Sequence, residues 1–166
     1  MGNNQNSTKE YFKLISIIHS ALALGIILFG VIICLFIADF QHTDTQSGLA
    51  NLFVYLVPGL IMTGIIASNV IFRIKLNTLL ISEDLKIKLE VYRRASIIRY
   101  AFIQFPALFA LMVILMTSDI NYVVYAGLMI ILLFIKRPTM KLAISELRLD
   151  QKEIALLENP DSNLWK

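Results

Sequence analysis

Four polar side chains with chemical scope fall inside otherwise apolar stretches of this chain: His19, Asn69, Arg99 and Gln104. Arg99 carries the most weight, because an arginine buried in hydrocarbon without a partner costs several kcal/mol, so an intramembrane one is a functional hypothesis by default. It sits within about a turn of the basic boundary of its apolar stretch, where a long side chain can snorkel to water. The structural reading is therefore preferred. If Arg99 does point inward, Gln104 and Asn69 are the polar groups at a compatible depth. His19 lies beside Ser16 and Ser20, about two turns into the first apolar stretch. A buried histidine can relay protons, ligate a metal or haem, or hydrogen-bond a neighbouring helix. Haem held by two histidines would need a second one at depth, and His42 stands at the opposite end of the stretch. The interhelical hydrogen bond is favoured, with a proton-coupled or quinone-contacting role as the alternative. Pro58-Gly59 and Pro106 each free a mid-depth carbonyl and permit a kink. Broken helices at that depth mark transporter binding sites, although proline kinks in membrane helices more often shape packing.

Other signatures are missing from the sequence. There is no phosphate-binding glycine loop, HExxH, CxxC, or Ser/His/Asp set that could meet on one side, so no catalytic residue, metal or cofactor is expected. The apolar stretches contain no Asp or Glu, which counts against proton-driven antiport through a membrane carboxylate. Asp39, Asp44 and Asp119 are too few and too scattered for a defined metal site. The single Cys34 excludes an intrachain disulfide, and Ile32-Ile33 before it lacks the small residue of a lipid-attachment site. Met1-Gly2 is not read as a myristoylation signal, since Asn6 stands where Ser or Thr is required.

The elements that must position these residues are four apolar spans, 14–37, 49–72, 97–116 and 120–136. The chain of 166 residues is 57% hydrophobic and 16% charged, more apolar surface than a soluble domain of this size could cover. The segments between spans alternate between basic and cation-free, and all 15 Lys and Arg residues fall on one side. That pattern predicts an all-α, four-helix transmembrane bundle, up-down-up-down, with both termini cytoplasmic in a bacterial inner membrane. The strongest orientation signal is the segment from Arg73 to Arg99, with seven cations against Glu83, Asp84 and Glu90. The basic residues flank spans and meet headgroups, so the lipid bilayer is the expected partner and no nucleic acid is implied. The first span is too long for a cleaved signal peptide and reads as an uncleaved anchor. The last two spans are joined through Thr117–Asn121 and must form a tight antiparallel hairpin. The fourth is short: its 14 wholly apolar residues rise about 21 Å against about 30 Å of hydrocarbon. Ser118 or Asp119 capping one end, and Lys136 and Arg137 snorkelling at the other, make up most of the deficit.

Two cytoplasmic helical segments are expected, 83–96 and 139–158, within a single membrane domain spanning 1–166. Ser82-Glu83-Asp84 reads as a helix start, so the third helix should project two or three turns beyond the membrane. Pro138-Thr139 opens one amphipathic run ending at Asn159-Pro160. It has Met140, Leu147 and Ile154 in one apolar file and Leu142, Leu149 and Leu156 in another. Such files need a covering surface, either the projecting third helix, the headgroup plane or a partner chain. Ser16/Ser20, Ala21/Gly25 and Gly64/Ser68 are small pairs that let helices approach, and they suit intrachain packing and homo-oligomers equally well.

The stretch from Tyr92-Arg93-Arg94 to Arg99, then Phe105-Pro106-Ala107-Leu108-Phe109, together with Arg137-Pro138-Thr139, Glu146-Leu147-Arg148-Leu149 and Asn159-Pro160-Asp161, resembles an uncharacterised family of small bacterial four-helix integral membrane proteins. The resemblance implies the same fold over most of the chain. The resemblance also implies an acid and a glycine before the Pro-Ala-Leu-Phe run. Here Gln104 and Phe105 stand instead, so no carboxylate-dependent role carries over. Three functional classes follow: a non-enzymatic subunit or accessory protein of a membrane assembly, which is favoured; an oligomeric small-solute transporter or channel around His19, Asn69, Arg99 and Gln104; and a quinone-contacting or other membrane enzyme requiring His19 and Arg99 to meet.

Overall fold

The computed structural model describes residues 8–39, 47–79 and 84–159, and every regular element among them is helical. In chain order these are α1 (Thr8–Asp39), α2 (Ser47–Asn77), α3 (Leu85–Thr117), a single 3-10 turn (Ile120–Tyr122), α4 (Val123–Ile135), α5 (Met140–Leu147) and α6 (Gln151–Glu158). The Ser82-Glu83 helix start, the loop residues His42 and Asp44, and Pro160-Asp161 lie outside the described residues. Helices α1, α2 and α3 are each long and apolar enough to cross a membrane. A fourth crossing exists if Ile120–Ile135 and α5, bent 80° from one another, are taken as one span. The outward faces match that reading, with Leu28, Ile32 and Leu35 of α1, Met62 and Ile66 of α2, and Ile131 and Ile135 of α4 all exposed. These features are consistent with a multi-pass membrane protein.

Helix α3 is the organising element and packs against α1, α2 and α4, with the α2–α3 pairing the most extensive. Along it Ile103, Ala107, Ala110, Leu111, Val113 and Ile114 are buried in one apolar core with Ile26 and Ile33 of α1, Val57 of α2, and Met129 and Leu133 of α4. α2 and α3 remain helical through Pro58 and Pro106. The connection from α3 to α4 is as short as its sequence requires. Ser118 takes a left-handed conformation (φ 55°) with its N–H on the Ile114 carbonyl, which ends α3. The Asp119 carboxylate accepts from the Asn121 N–H at 2.9 Å and starts the 3-10 turn.

The 139–158 segment is not the single run that its heptad files suggest. It is two eight-residue helices, broken where Arg148 turns left-handed at φ 50°. Asp150 caps the second: its carboxylate accepts from the Glu153 N–H at 2.7 Å while the Glu153 carboxylate accepts from the Asp150 N–H at 2.9 Å. This reciprocal capping box satisfies two backbone donors, and the Asp-x-x-Glu spacing was its visible signal in the sequence. Upstream, Pro138 has no N–H to continue α4, and Thr139 Oγ1 caps α5 by accepting from the Leu142 N–H. The break lets the two helices fold against α1 and α3. Tyr11 and Ile15 of α1, Leu89 of α3, Leu149, and Leu157 of α6 bury one another, with Ile144, Leu147 and Ile154 against them. The Tyr11 hydroxyl donates to the Leu89 carbonyl within this small core.

A side chain in the left-handed region costs roughly 1–2 kcal/mol that glycine avoids. Arg148→Gly should therefore raise stability by up to about 1 kcal/mol, read as a later thermal midpoint by circular dichroism in detergent. An unchanged or earlier midpoint would show that the Arg148 side chain itself supports the turn.

Candidate functional site

Two ion pairs lie where the N-terminal half of α3 meets α5 and α6. Arg99 is 1% exposed, and its Nη1 donates to Glu146 Oε1 at 2.7 Å. The guanidinium lies over the Phe72 ring, its carbon 3.8 Å from the ring centre, so one cation meets a carboxylate, an aromatic face and three helices at once. About three turns toward the α3 N-terminus, Lys88 Nζ reaches Glu153 Oε1 at 2.6 Å. Two charge pairs thus tie α5 and α6 to α3, each with its cation buried and its carboxylate partly exposed. Both outrank an exposed pair in worth, because truncating one partner strands a charge in an apolar setting.

Around Arg99 the hydrogen bonding is incomplete. Arg99 Nε and Nη2, Glu146 Oε2, Tyr92 Oη and Ser96 Oγ are buried without a hydrogen-bond partner. Tyr92 is nevertheless within hydrogen-bonding reach of Glu146, and Ser96 and Arg99 of the Tyr100 hydroxyl, so these atoms form one internally paired cluster with imperfect geometry. Beside it is a cavity of about 390 Å³. Glu146, Lys88, Glu153, Asp150 and Arg148 supply its charged wall, and Leu76, Asn77 and Leu79 after the last turns of α2 supply the opposite side. Glu146 is shared: one oxygen holds Arg99 and the residue lines the cavity.

His19 does different work. It is 1% exposed, and its Nε2 is 2.8 Å from the Leu133 carbonyl, which can only accept, so the ring proton resides on Nε2. Helix α4 has just 13 residues and its last carbonyls lack helical donors: the Arg137 N–H, one turn beyond Leu133, bonds Phe134 instead. His19 from α1 supplies the donor for Leu133, and the Tyr100 hydroxyl from α3 donates to Lys136 O at 3.2 Å. The two rings also meet edge to face at 4.9 Å. His19 and Tyr100 are therefore side-chain caps for a helix too short to finish itself. Replacing His19 by Leu leaves a buried carbonyl unsatisfied and should cost about 1–3 kcal/mol in detergent unfolding, with His19→Gln, which keeps a donor, recovering part of it. Equal losses in both variants would mean that ring packing, rather than the cap, carries the effect.

The structure places the four expected polar residues apart in role. Arg99 turns to Glu146 and Phe72, and His19 to the end of α4, although both touch the Tyr100 ring, with the Arg99 guanidinium carbon 6.0 Å from its centre. Asn69 Nδ2 donates back to the Ile65 carbonyl of its own helix at 2.9 Å, and Gln104 is half-buried on α3. Pro106 is buried against Gly64 of α2, while Pro58 is partly exposed. Glu146, Lys88 and Glu153 did not stand out in the sequence as partners, because they are ordinary helix-surface residues until α5 and α6 fold back. Among the described residues no group of three or more His, Cys, Asp or Glu side chains is placed to hold a metal ion. No protein-family model, curated protein or solved structure matches the chain.

Proposed function

We propose that this chain is a four-pass, up-down-up-down protein of the bacterial inner membrane with both termini cytoplasmic, and that it serves as a non-enzymatic accessory subunit of a membrane assembly. The topology rests on the distribution of its 15 cations, which a bilayer retains on the cytoplasmic side. In that frame α5 and α6 form a cytoplasmic cap beneath the bundle. One observation carries the accessory reading: the described membrane-depth core is closed by apolar side chains from all four spans, and the polar and charged groups gather in the cap. A bundle of this kind anchors and presents its cytoplasmic layer. On that layer Ile87 of α3 and Leu156 of α6 stay exposed, giving a partner apolar contacts beside charged ones.

The test is extraction from native membranes in mild detergent or nanodiscs, followed by native mass spectrometry. A defined heteromeric complex supports the accessory role and supplies the partner. A homo-oligomer free of other proteins would move the reading to an oligomeric small-solute transporter. A monomer without partners would overturn the accessory role outright. Single cysteines introduced at Lys141 and Lys152 check orientation, since both should react with impermeant maleimide only after the cytoplasmic face is opened.

A further inference from the structure

In the half of the bundle away from Lys136 and Arg137, a groove of about 330 Å³ opens between α1 and α4. Leu111 of α3 lies at its base, 1% exposed, with Ala126 of α4 buried beside it. Gly30 and Cys34 of α1 and Gly127 and Ile130 of α4 line the two walls. Apart from the Cys34 thiol, every lining side chain is hydrocarbon, so a charged or hydrogen-bonding ligand finds no partners here. The two wall glycines are not required by their own helices. Neither has a positive φ. A Cβ at Gly30 would meet only Leu111 side-chain carbons, at 3.6 and 3.7 Å, and one at Gly127 would meet nothing within 4 Å. Glycine weakens a helix relative to alanine, and what the missing side chains leave in return is the groove.

The extent of the groove decides between apolar occupants. From residue 26 to residue 35 the α1 wall rises about 14 Å, close to half of the roughly 30 Å hydrocarbon thickness. That is the depth of one leaflet. Toward the basic end the groove closes, because His19 Nε2 lies 2.8 Å from the Leu133 carbonyl and joins α1 to α4 directly. A transmembrane helix runs the full thickness and is about 10 Å wide, so it has no continuous seat between these two helices. A lipid chain of one leaflet has the matching length and chemistry. We infer that this groove is a phospholipid-binding site that holds one acyl chain of the leaflet at the cation-free end. The inference rests on the chain crossing a membrane, not on the accessory role. Inside hydrocarbon the gain is packing rather than hydrophobic burial: a chain along Leu111 touches α1, α3 and α4 together, where a chain on an open face touches one helix. It therefore exchanges with bulk lipid more slowly than its neighbours.

The test places the full chain in dioleoylphosphatidylcholine vesicles with a small fraction of photoreactive lipid, a diazirine midway along one acyl chain, and maps the adducts by peptide mass spectrometry. Adducts should concentrate on residues 26–35 and 123–130, about fivefold or more above the exposed α2 face of Leu52 and Leu56. Phosphatidylcholine and phosphatidylglycerol probes with the same chain should label the groove alike. Labelling that follows the headgroup would put recognition outside the groove and overturn the proposal. The Gly30→Leu, Gly127→Leu double variant fills the groove and should remove most of the enrichment. Gly59→Leu, at an exposed glycine of α2 whose Cβ would meet nothing within 4 Å, should leave it unchanged. Even labelling of all exposed faces in the parent protein, a result that needs no variant to fold, overturns the proposal. So does a dimer in native mass spectrometry that the double variant abolishes, since the occupant is then a second copy of the chain.

Discussion

Glu146→Ala should be among the most destabilising single substitutions in this protein, at about 3–5 kcal/mol, because it strands Arg99 in an apolar setting without its carboxylate. Arg99 cannot easily escape: its side chain is 1% exposed and its guanidinium is held on the Phe72 face. The Glu146 side chain is 19% exposed, so water reaches one flank of the pair and the lower end of that range is expected. The loss should be local before it is global. The cap is anchored by this pair, by Lys88–Glu153 and by the small core of Tyr11, Leu89 and Leu157. With one anchor gone, trypsin should cut at Lys141, Arg148 and Lys152 faster than in the parent, while the helices of the bundle keep their circular dichroism. Replacing both partners by apolar residues, Arg99→Met with Glu146→Leu, should recover most of the stability, since a buried pair is worth little against well-packed hydrocarbon. If Glu146→Ala melts like the parent and the cap stays protease-resistant, Arg99 has an alternative route to water and the pair is not the anchor.

How far the sequence reaches is seen in Arg99 itself. Its depth near the boundary was legible, because a lone charge inside a hydrophobic stretch is visible without a structure. Its burial was not: it was expected to snorkel to water, and it is 1% exposed. Its partner was not legible either, since Glu146 lies 47 residues away on a segment whose heptad files suggest one straight helix. On a straight helix Glu146 falls between the two apolar files, four residues after Leu142, but nothing in that spacing names the residue it would face. The Asp150–Glu153 box and the left-handed Arg148 break that helix, and only then does the first half turn its acid toward α3. The three long apolar helices were legible for the opposite reason: hydrocarbon imposes length and composition on each helix separately, with no need for tertiary knowledge. His19 was expected to make an interhelical hydrogen bond, but its acceptor is a main-chain carbonyl at a helix end. A backbone acceptor leaves no residue-type trace in a sequence.

Gly64 sits at a close approach in the most extensively packed helix pair of the fold, and Gly64→Leu should disrupt it. A Cβ at Gly64 would lie 2.6 Å from Pro106 Cγ and 2.9 Å from the Phe102 carbonyl oxygen on α3. Neither neighbour can yield, one being a rigid ring and the other backbone. The contact also has a cause: Pro106 has no N–H, so the carbonyl four residues before it, Phe102, lacks its helical donor, and the bare Gly64 backbone approaches there instead. Even Gly64→Ala must force α2 and α3 apart and should cost about 1–3 kcal/mol, with Gly64→Leu beyond that range and expected to prevent native packing along the most extensive interface of the fold. The other helical glycines supply the control. A Cβ at Gly25, Gly59 or Gly127 meets nothing within 4 Å, so alanine there should be neutral or stabilise by up to about 1 kcal/mol through helix propensity. Pro106→Ala in the Gly64→Ala background removes the clashing ring and returns an N–H to Phe102, so the double variant should lose clearly less than the two single losses added together. Additive losses would place the two residues in independent contacts and dissolve the link between the proline and the glycine.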